Sequence, residues 1–318
     1  MRNISTMQQS DLFVVNDIVA SALADGRPVV ALESAALARG FSRDLAVEVE
    51  ERIENAVLER GAVPALLFLR NGKVHVGGDI EDIRAIAGNR NAPRASRSSL
   101  AGVLEETGYG VTTVSASMMI CAKVGIRFLA VGGIGGVHRG AFQPIDGQKT
   151  ISLDVSPDLE ELARTAVVVV ASGAKSFLDL PATMQWLETR GVPVATFGGA
   201  TVPGYFSIDS SEPSPIIVDT PENGARLVRR HFALPSPTGF LFCVPVPAEA
   251  ALSREEIERA ARIADIEVST KGIAGGPVTA AMLEVMARET ADRTIEAQAA
   301  MSVRNAAVAA QLASGASG

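Results

Sequence analysis

The sequence predicts an α/β fold, with a largely parallel sheet sandwiched by helices (α/β/α) and a further helical layer at the C-terminal end. Apolar strand-like runs alternate with helix-like segments along most of the 318 residues. The run AVVVV at residues 166–170 is β-branched and apolar, which is typical of a strand buried on both faces of a parallel sheet. From residue 253 onward only helical patterns follow, which predicts the additional layer.

Length and composition favour one folded unit. No shift in composition divides residues 12–312, so we expect them to form a single α/β/α domain. Residues 1–11 are expected to be a flexible N-terminus, and residues 313–318 a disordered tail.

Charge and composition exclude several classes of function. The formal net charge is −7 and no basic stripe is visible, so we expect no nucleic-acid partner. No apolar run is long enough to span a membrane, and the first residues lack the apolar segment of a signal peptide. Cys121 and Cys243 lie in apolar segments, as expected for buried thiols. We therefore expect a cytoplasmic protein with no membrane partner.

Periodicity and turn residues predict the elements of the N-terminal half. Helical spacing of apolar residues predicts helices at residues 11–23, 43–60, 79–87, 100–107 and 114–124. Short apolar runs predict strands at residues 27–32, 63–69, 74–76, 110–113 and 127–131. The pair Asn71-Gly72 stands between two of these strands and is a strong signal for a hairpin.

The same signals predict the elements of the C-terminal half. Strands are expected at residues 151–156, 166–171, 192–197, 216–219 and 239–245. Helices are expected from Ser156 onward and at residues 176–190, 222–232, 254–266, 277–288 and 294–312. Residues 198–215 are rich in Gly, Pro and Ser, which predicts a loop that is either a lid over a substrate or a wall beside it.

Lys175 follows the valine-rich strand and a turn of small residues at 172–174. Ser176 is predicted to cap the next helix, with Asp179 at the capping-box position. A half-buried strand end and a helix N-terminus both disfavour an ammonium ion, so the amine is expected to lose its proton easily. A neutral amine can form a Schiff base with a carbonyl or an anomeric carbon. The alternative is a lysine that extends its charge from a strand end into water.

Polar groups at other strand ends are expected to meet Lys175 at one edge of the sheet. Glu33 follows the strand VVAL and is either a general acid with a raised pKa or a helix-capping carboxylate. The segment TTVSAS at 112–117 offers hydroxyls and backbone N–H groups, suited to a phosphate or to helix capping. Asp154 and Asp158 are spaced either to hold a hard divalent ion or to cap a helix.

The glycine-rich run GGIGGVHRG at residues 132–140 has neither P-loop nor GxGxxG spacing, which excludes a nucleotide cofactor on spacing. Its glycines allow close approach of a ligand to the backbone. His138 and Arg139 could reach an anion, or the run could be a structural loop. The chain has no CxxC, HExxH or GxSxG motif, so the motifs that usually indicate redox enzymes, zinc hydrolases and serine hydrolases are missing.

Taken together, these segments resemble the pseudouridine-5′-phosphate glycosidase family. The matching runs are VALES (30–34), GVTTVSASM (110–118), GGIGGVHRGA (132–141), DVSPDLEELART (154–165) and SGAKSFLDLPATMQWLETRGVPV (172–194). Their order and spacing persist over about residues 12–312, nearly the whole chain. The family cleaves or forms a carbon–carbon glycosidic bond between ribose 5-phosphate and a base.

The resemblance implies a catalytic α/β/α domain at residues 12–312, a homotrimer, and a divalent metal ion, most often Mn²⁺, with Mg²⁺ or Ca²⁺ as alternatives. It implies Lys175 as the Schiff-base nucleophile at ribose C1′, Glu33 as the proton donor and Asp154 as the metal ligand. No redox cofactor is expected. The predicted substrate contacts are Arg94, Ser96, Arg97, Thr113, Val114, His138, Ser156, Pro157, Asp158 and Gln298.

The sequence departs from the family pattern mainly on the side of the base. Arg94 replaces a lysine, Arg39 a histidine, and Gln298 an asparagine that faces the base; Thr279-Ala280 replaces Thr-Pro. These changes favour a C-glycosynthase that joins ribose 5-phosphate to a small aromatic, polyketide-type aglycone, as in antibiotic biosynthesis. The alternatives are a pseudouridine-5′-phosphate glycosidase that releases uracil and a non-catalytic ribose-phosphate-binding protein. The sequence leaves the aglycone, the direction of the reaction and the metal open.

Overall fold

The computed structural model describes residues 12–143, 153–235, 238–273 and 277–316. The predicted flexible segment 1–11 lies outside the described residues. The strands are β1 (Phe13–Val15), β2 (Val29–Glu33), β3 (Val63–Arg70), β4 (Lys73–Val76), β5 (Arg94–Ala95), β6 (Tyr109–Thr112), β7 (Phe128–Ala130), β8 (Val137–His138), β9 (Val168–Ala171), β10 (Leu178–Asp179), β11 (Val194–Phe197), β12 (Ile216–Val218) and β13 (Phe240–Cys243).

The helices alternate with these strands through residue 243 and then follow one another. They are α1 (Asp17–Ala24), α2 (Ala35–Arg39), α3 (Arg43–Leu58), α4 (Ile80–Ile86), α5 (Leu100–Leu104), α6 (Val114–Val124), α7 (Pro157–Leu162), α8 (Leu180–Thr189), α9 (Pro221–Ala233), α10 (Arg254–Thr270), α11 (Val278–Glu289) and α12 (Arg293–Ala316). No helix in the described parts of the chain is long and apolar enough to cross a membrane.

A sheet of eleven strands runs through the described chain in the order β1-β4-β3-β2-β7-β9-β13-β11-β12, with β6 beside β3 and β5 beside β6. Only β3–β4 and β3–β6 are antiparallel among its pairings. Strands β8 and β10 form a separate two-stranded sheet. The predicted largely parallel sheet is confirmed, as is the hairpin between β3 and β4, where Asn71 and Gly72 both have positive φ.

The strands at the centre of the sheet are buried on both faces. In β9, Val168 and Val170 belong to one hydrophobic core, whereas Val169 and Ala171 belong to the other. Successive side chains of a strand point to opposite faces, so this division places a helical layer on each side of the sheet. The α/β/α prediction made from the valine run is therefore confirmed.

Helix α12 is the C-terminal part of this architecture and packs against β2, β7 and β9 as well as α3 and α9. It is rich in alanine, which lets the helix approach the sheet closely. The helix continues to Ala316, and Ala313 is only 1% exposed, so the predicted tail does not start at residue 313. Residues 317–318 lie outside the described residues.

The N-terminal element differs from the helix predicted at residues 11–23. Phe13–Val15 forms β1, which pairs in parallel with β4, and α1 begins at Asp17. The side chain of Asn16 caps α1 by accepting a hydrogen bond from the backbone N–H of Ile18 at 2.8 Å. The strand is stabilised by a partner about sixty residues away, which local periodicity cannot reveal.

The strand predicted at residues 151–156 is also not formed as expected. Residues 151–152 lie outside the described part of the chain, and of the rest only Val155 pairs, through one isolated bridge to Val137. The helix Pro157–Leu162 does start as predicted, with the Ser156 hydroxyl accepting a hydrogen bond from the backbone N–H of Asp158.

Helix α8 begins later than predicted, and this changes the surroundings of Lys175. The helix starts at Leu180 and is capped by Asp179, whose carboxylate accepts a hydrogen bond from the backbone N–H of Ala182 at 3.0 Å. The predicted cap, Ser176, instead has a buried hydroxyl without a partner among the described residues. Lys175 therefore does not lie at a helix N-terminus, and the helix dipole does not lower its pKa.

Candidate active site

A cavity of about 620 Å³ opens at the carboxyl ends of the central parallel strands. Its wall includes Glu33 at the end of β2, Gly132 and Gly133 after β7, and Lys175 after β9. Helices α2, α11 and α12 supply further parts of the wall. Adjacent parallel strands end at the same edge of a sheet, which is why residues far apart in the sequence meet here.

Lys175 is held by a tight turn behind β9. Gly173 has a φ of +83°, and a Cβ atom there would lie 2.6 Å from the carbonyl oxygen of Pro203, so the turn requires glycine. The Nζ atom of Lys175 donates a hydrogen bond to the carbonyl oxygen of Gly133 at 3.2 Å. Burial lowers the pKa of Lys175 from its ordinary value of 10.5, although the carboxylates of Asp158 and Glu33 oppose this effect. Burial thus favours a neutral, nucleophilic amine.

Glu33 faces the same cavity from the end of β2. One carboxyl oxygen accepts a hydrogen bond from the backbone N–H of Ala36 at 2.9 Å, so Glu33 also caps α2. Burial raises its pKa above 4.5, while Lys175, the Ala36 N–H and Arg94 act in the opposite direction. The side chain can therefore hold a proton at a higher pH than an ordinary glutamate, as a general acid requires.

Asp158 connects two segments around the cavity. Its carboxylate accepts hydrogen bonds from the backbone N–H groups of Ser115, at 3.0 Å, and Gly135, at 2.8 Å. The charge lies at the N-terminus of α6, where a carboxylate is favoured. It therefore occupies part of the segment predicted as a phosphate cradle. Of that segment, Thr113 and Val114 line the cavity.

Among the described residues, Arg39 and Arg94 are two of the four arginines that bring positive charge to the cavity wall. Arg39 donates a hydrogen bond to the carbonyl oxygen of Ala92 at 2.7 Å, and its Nε is buried without a partner among the described residues. Burial lowers the pKa of Arg39, and the neighbouring charge of Arg94 lowers it further. Two adjacent guanidinium groups are suited to an anion such as a phosphate.

Several predicted contacts are described in the structure but do not form the cavity wall. These residues are Ser96, Arg97, His138, Ser156 and Pro157. Arg97 forms an ion pair with Glu161, whose side chain is fully buried and requires a cation. The hydroxyl of Ser96 contacts those of Ser98 and Ser99. These partners give Arg97 and Ser96 contacts within the protein, and the five substrate contacts stay predictions.

The predicted metal ligand, Asp154, lies beside His138. Its carboxylate oxygen is 3.7 Å from Nδ1 of His138. The described residues contain no cluster of three or more His, Cys, Asp or Glu side chains that could hold a metal. One carboxylate with water ligands suits Mg²⁺ or Mn²⁺, so Asp154 fits the implied ion as a single protein ligand.

Tyr205 and Phe206 line the cavity but were not predicted as site residues. Tyr205 is 2% exposed and Phe206 is fully buried, so these two residues of the segment 198–215 contribute to the wall of the cavity. A Cβ atom at Gly133 would lie 2.4 Å from Cε2 of Tyr205, which explains why the glycine-rich run approaches this ring so closely. The sequence signal was an aromatic pair, including one of only two tyrosines, within a loop of small residues.

The outer part of the cavity is formed by the C-terminal helices. Leu283 and Ala287 of α11 and Ile295 and Gln298 of α12 line it. Gln298 is 6% exposed and packs against Gly40, where a Cβ atom would lie 2.4 Å from Nε2. The predicted partner of the base is thus at the cavity, with apolar and charged side chains of these helices around it.

The fold and this cavity define a class of α/β proteins in which a partly buried lysine and a glutamate line one cavity at the carboxyl edge of a parallel sheet. The family model described as "Indigoidine synthase A like protein" matches residues 18–315. The chain belongs to this family, which includes the pseudouridine-5′-phosphate glycosidases, and the resemblance found in the sequence is confirmed.

Relatives match over almost their whole length. A pseudouridine-5′-phosphate glycosidase of Deinococcus radiodurans is 38% identical over 295 residues, covering 93% of this chain and 92% of the relative. One of Paracoccus denitrificans is 38% identical over 304 residues, covering 95% and 97%. Among solved structures, the prealnumycin C-glycosynthase AlnA in complex with ribulose 5-phosphate matches with a TM-score of 0.84 and 32% identity, covering 97% of this chain and 98% of that chain.

Proposed function

We propose that this protein cleaves pseudouridine 5′-phosphate to uracil and ribose 5-phosphate through an imine on Lys175. The observation that carries the proposal is the lysine with a lowered pKa and the glutamate with a raised pKa in the wall of one cavity. The relatives named pseudouridine-5′-phosphate glycosidase are 38% identical, against 32% for the C-glycosynthase. They support the cleavage that the sequence analysis ranked second over the synthesis that it preferred.

In this mechanism the Lys175 amine attacks C1′ of the ribose. The C1′–N bond forms, the C1′–O4′ bond breaks, and O4′ takes a proton that Glu33 can supply. The attached nitrogen releases one proton to water, and its lone pair then forms the C1′=N bond while the electron pair of the C1′–carbon bond passes to the base, which takes a proton from water at that carbon. Water hydrolyses the imine and releases ribose 5-phosphate and the free amine.

The other groups at the cavity have binding roles in this proposal. Arg39 and Arg94 supply the positive charge that a sugar phosphate needs. Gln298 offers an amide to the base. A divalent ion held by Asp154 would neutralise anionic oxygens of the sugar phosphate. The homotrimer and the cytoplasmic location remain predictions from the resemblance and the composition.

A second candidate function is the formation of a C-ribosyl bond to an aromatic aglycone. It is favoured by the apolar side chains of Leu283, Ala287 and Ile295, which line the cavity from α11 and α12 together with Gln298, among charged side chains. These apolar side chains suit an aromatic ring larger than uracil. The structural likeness to AlnA, which is a C-glycosynthase, points in the same direction.

Product analysis tests the proposal. Purified protein is incubated with pseudouridine 5′-phosphate, and uracil and ribose 5-phosphate are quantified for the wild type, Lys175→Arg and the exposed control Lys73→Arg. We expect the wild type and the control to release uracil and ribose 5-phosphate in equal amounts, and at similar rates. Lys175→Arg should lose roughly a thousandfold or more in turnover, because guanidinium stays protonated.

Other outcomes would contradict the proposal in different ways. Ribosylation of a phenol by ribose 5-phosphate, without release of uracil, would replace cleavage with the second candidate. Binding of ribose 5-phosphate with neither reaction would indicate the non-catalytic alternative.

A further inference from the structure

A second, much smaller cavity shares Glu33 with the large one but does not include Lys175 in its wall. Its volume is about 30 Å³. A cavity needs a volume of at least about 10–15 Å³ to hold a water molecule, so one water fits here. Its polar side chains are those of Glu33, Glu50 and Ser302, and the other side chains in its wall are apolar.

Glu50 reaches this cavity from the middle of α3. The residue is 3% exposed, and its Oε1 atom is buried without a hydrogen-bond partner among the described residues. Buried polar atoms almost always have a partner, so an orphaned oxygen at a cavity of this size indicates an ordered water. The water would lie between the carboxyl groups of Glu50 and Glu33.

The surroundings of Glu50 favour its neutral form. Burial raises its pKa from 4.5 to about 8, and the carboxylates of Glu54 and Glu33 raise it as well. Among the described residues, no cationic side chain lines the small cavity: α12 contributes Ser302, and β7 contributes only the apolar side chain of Ala130. Glu50 therefore carries a proton near neutral pH.

Glu54 lies one helical turn beyond Glu50 on α3 and is partly exposed. Burial and the charge of Glu51 raise its pKa too. The three carboxyl groups thus form a series from the large cavity to the protein surface, with the small cavity between the first two.

We propose that Glu50 returns protons to Glu33 through a water molecule in the small cavity, and that Glu54 connects Glu50 to solvent. The inference rests on the proposed function, in which Glu33 gives a proton to the substrate and becomes a carboxylate. The water then gives one proton to Glu33 and takes the proton of Glu50. Glu50 recovers a proton from solvent by way of Glu54. Only O–H bonds break and form, so no further reactant is required.

The main test is Glu50→Gln, which keeps the shape of the side chain but cannot titrate. The matched control is Glu48→Gln on the same helix, where the carboxylate is exposed and paired with Arg52. Turnover is measured against pH, in H₂O and D₂O. We expect Glu50→Gln to lose about tenfold in turnover, less than the roughly hundredfold or greater loss for removing a general acid itself. Its decline at alkaline pH should begin at lower pH, and Glu48→Gln should follow the wild type.

A second variant tests the water and leaves Glu50 in place. Ala130→Val adds methyl groups to a strand position in the wall of the small cavity. We expect the alkaline decline in turnover to begin at lower pH, as in Glu50→Gln, because no water can bridge the carboxyl groups of Glu33 and Glu50.

The relay is overturned if the wild type is active and both variants reproduce its pH profile. Trapping with ribose 5-phosphate and borohydride separates this result from failure of the proposed function. A wild type that neither cleaves the substrate nor forms an adduct removes the proposed function, and the relay with it. An adduct in all variants, with an altered pH profile only in Glu50→Gln and Ala130→Val, supports the relay.

Discussion

The charge state of Lys175 depends on opposing influences at one amine. Burial lowers its pKa, and the carboxylates of Asp158 and Glu33 raise it. The predicted contribution of a helix N-terminus is absent, because α8 starts at Leu180. Burial is therefore the physical cause of the lowered pKa of Lys175, and the pH dependence of imine formation can measure its effect.

We expect the rate of imine formation at Lys175 to rise with pH and to reach half its maximum below 10.5, the ordinary lysine value. Only the neutral amine attacks a carbonyl, so the rate follows the deprotonated fraction. The measurement is the initial rate of borohydride-trapped adduct with ribose 5-phosphate between neutral and alkaline pH. A midpoint at or above the ordinary value would contradict the proposed effect of burial.

Glu50 should also make stability depend on pH. Its pKa is about 8 in the folded protein and 4.5 when unperturbed, so the folded state binds more protons between these values. Its contribution to the free energy of unfolding is therefore full below pH 4.5 and is lost as the pH rises toward 8. Glu50→Gln removes this dependence.

Urea denaturation at several pH values checks this prediction. The free energy of unfolding of Glu50→Gln, relative to wild type, should increase between pH 5 and pH 8 by a few kcal/mol, at about 1.4 kcal/mol per pKa unit. The control Glu48→Gln should show no such trend, and a constant difference for Glu50→Gln would refute a buried, protonated Glu50.

Among the elements, the glycine-rich segment after β7 connects the sheet to the aromatic wall. The Cβ of alanine at position 133 would lie 2.4 Å from Cε2 of Tyr205 and 3.1 Å from the carbonyl oxygen of Gly173. We expect Gly133→Ala to lower the free energy of unfolding by about 1–3 kcal/mol and to reduce turnover, because the carbonyl that holds Lys175 must shift.

Chemical denaturation and turnover of the variants test this close contact. The control Gly102→Ala, where α5 has open space around the glycine, should leave turnover unchanged and raise the free energy of unfolding by up to about 1 kcal/mol, because alanine favours a helix. Gly133→Ala combined with Tyr205→Ala should be less destabilised than the sum of the single changes. Additive effects would show that the ring does not restrict position 133.

Helix α12 holds the ends of two central strands through Asn305. The amide of this fully buried residue donates hydrogen bonds to the carbonyl oxygens of Val131 at 2.8 Å and Gly132 at 3.3 Å, and contacts the hydroxyl of Ser172. We expect Asn305→Leu to lower the free energy of unfolding by roughly 2–3 kcal/mol, because the buried carbonyl of Val131 loses its donor and that of Gly132 keeps only the backbone N–H of Ser172 among the described residues.

Asn305→Asp separates shape from hydrogen bonding in this position. It has nearly the same volume but no N–H groups to donate, so denaturation should reveal a loss at least as large as that of Asn305→Leu. Wild-type stability of either variant would contradict the proposed role of Asn305.

The elements that local patterns predicted are those with strong local signals. The valines of β9, the Asn71-Gly72 hairpin and the Ser156 cap all carry their cause within a few residues. Strand β1 depends on its pairing with β4, and the late start of α8 depends on the pairing of β10 with β8; both partners are distant in the sequence. Periodicity alone therefore predicted a helix where β1 forms, and a helix cap at Ser176 before the observed start of α8.

At the scale of the whole molecule, the sheet brings the ends of β2, β7 and β9 to one cavity. Strand-end polarity was enough to select Glu33 and Lys175 from the sequence. It could not predict that Arg97 pairs with the buried Glu161, or that Tyr205 enters the wall from a loop. Those contacts arise from packing between distant segments, for which a single sequence has no local signal.

The most direct test of the central claim is to locate the covalent adduct. The protein is treated with ribose 5-phosphate and borohydride, digested, and analysed by mass spectrometry for reduced ribosyl-lysine. We expect modification at Lys175 in the wild type and in Lys73→Arg, and none in Lys175→Ala. No adduct, or an adduct at another lysine that persists in Lys175→Ala, would contradict the role of Lys175 as the nucleophile.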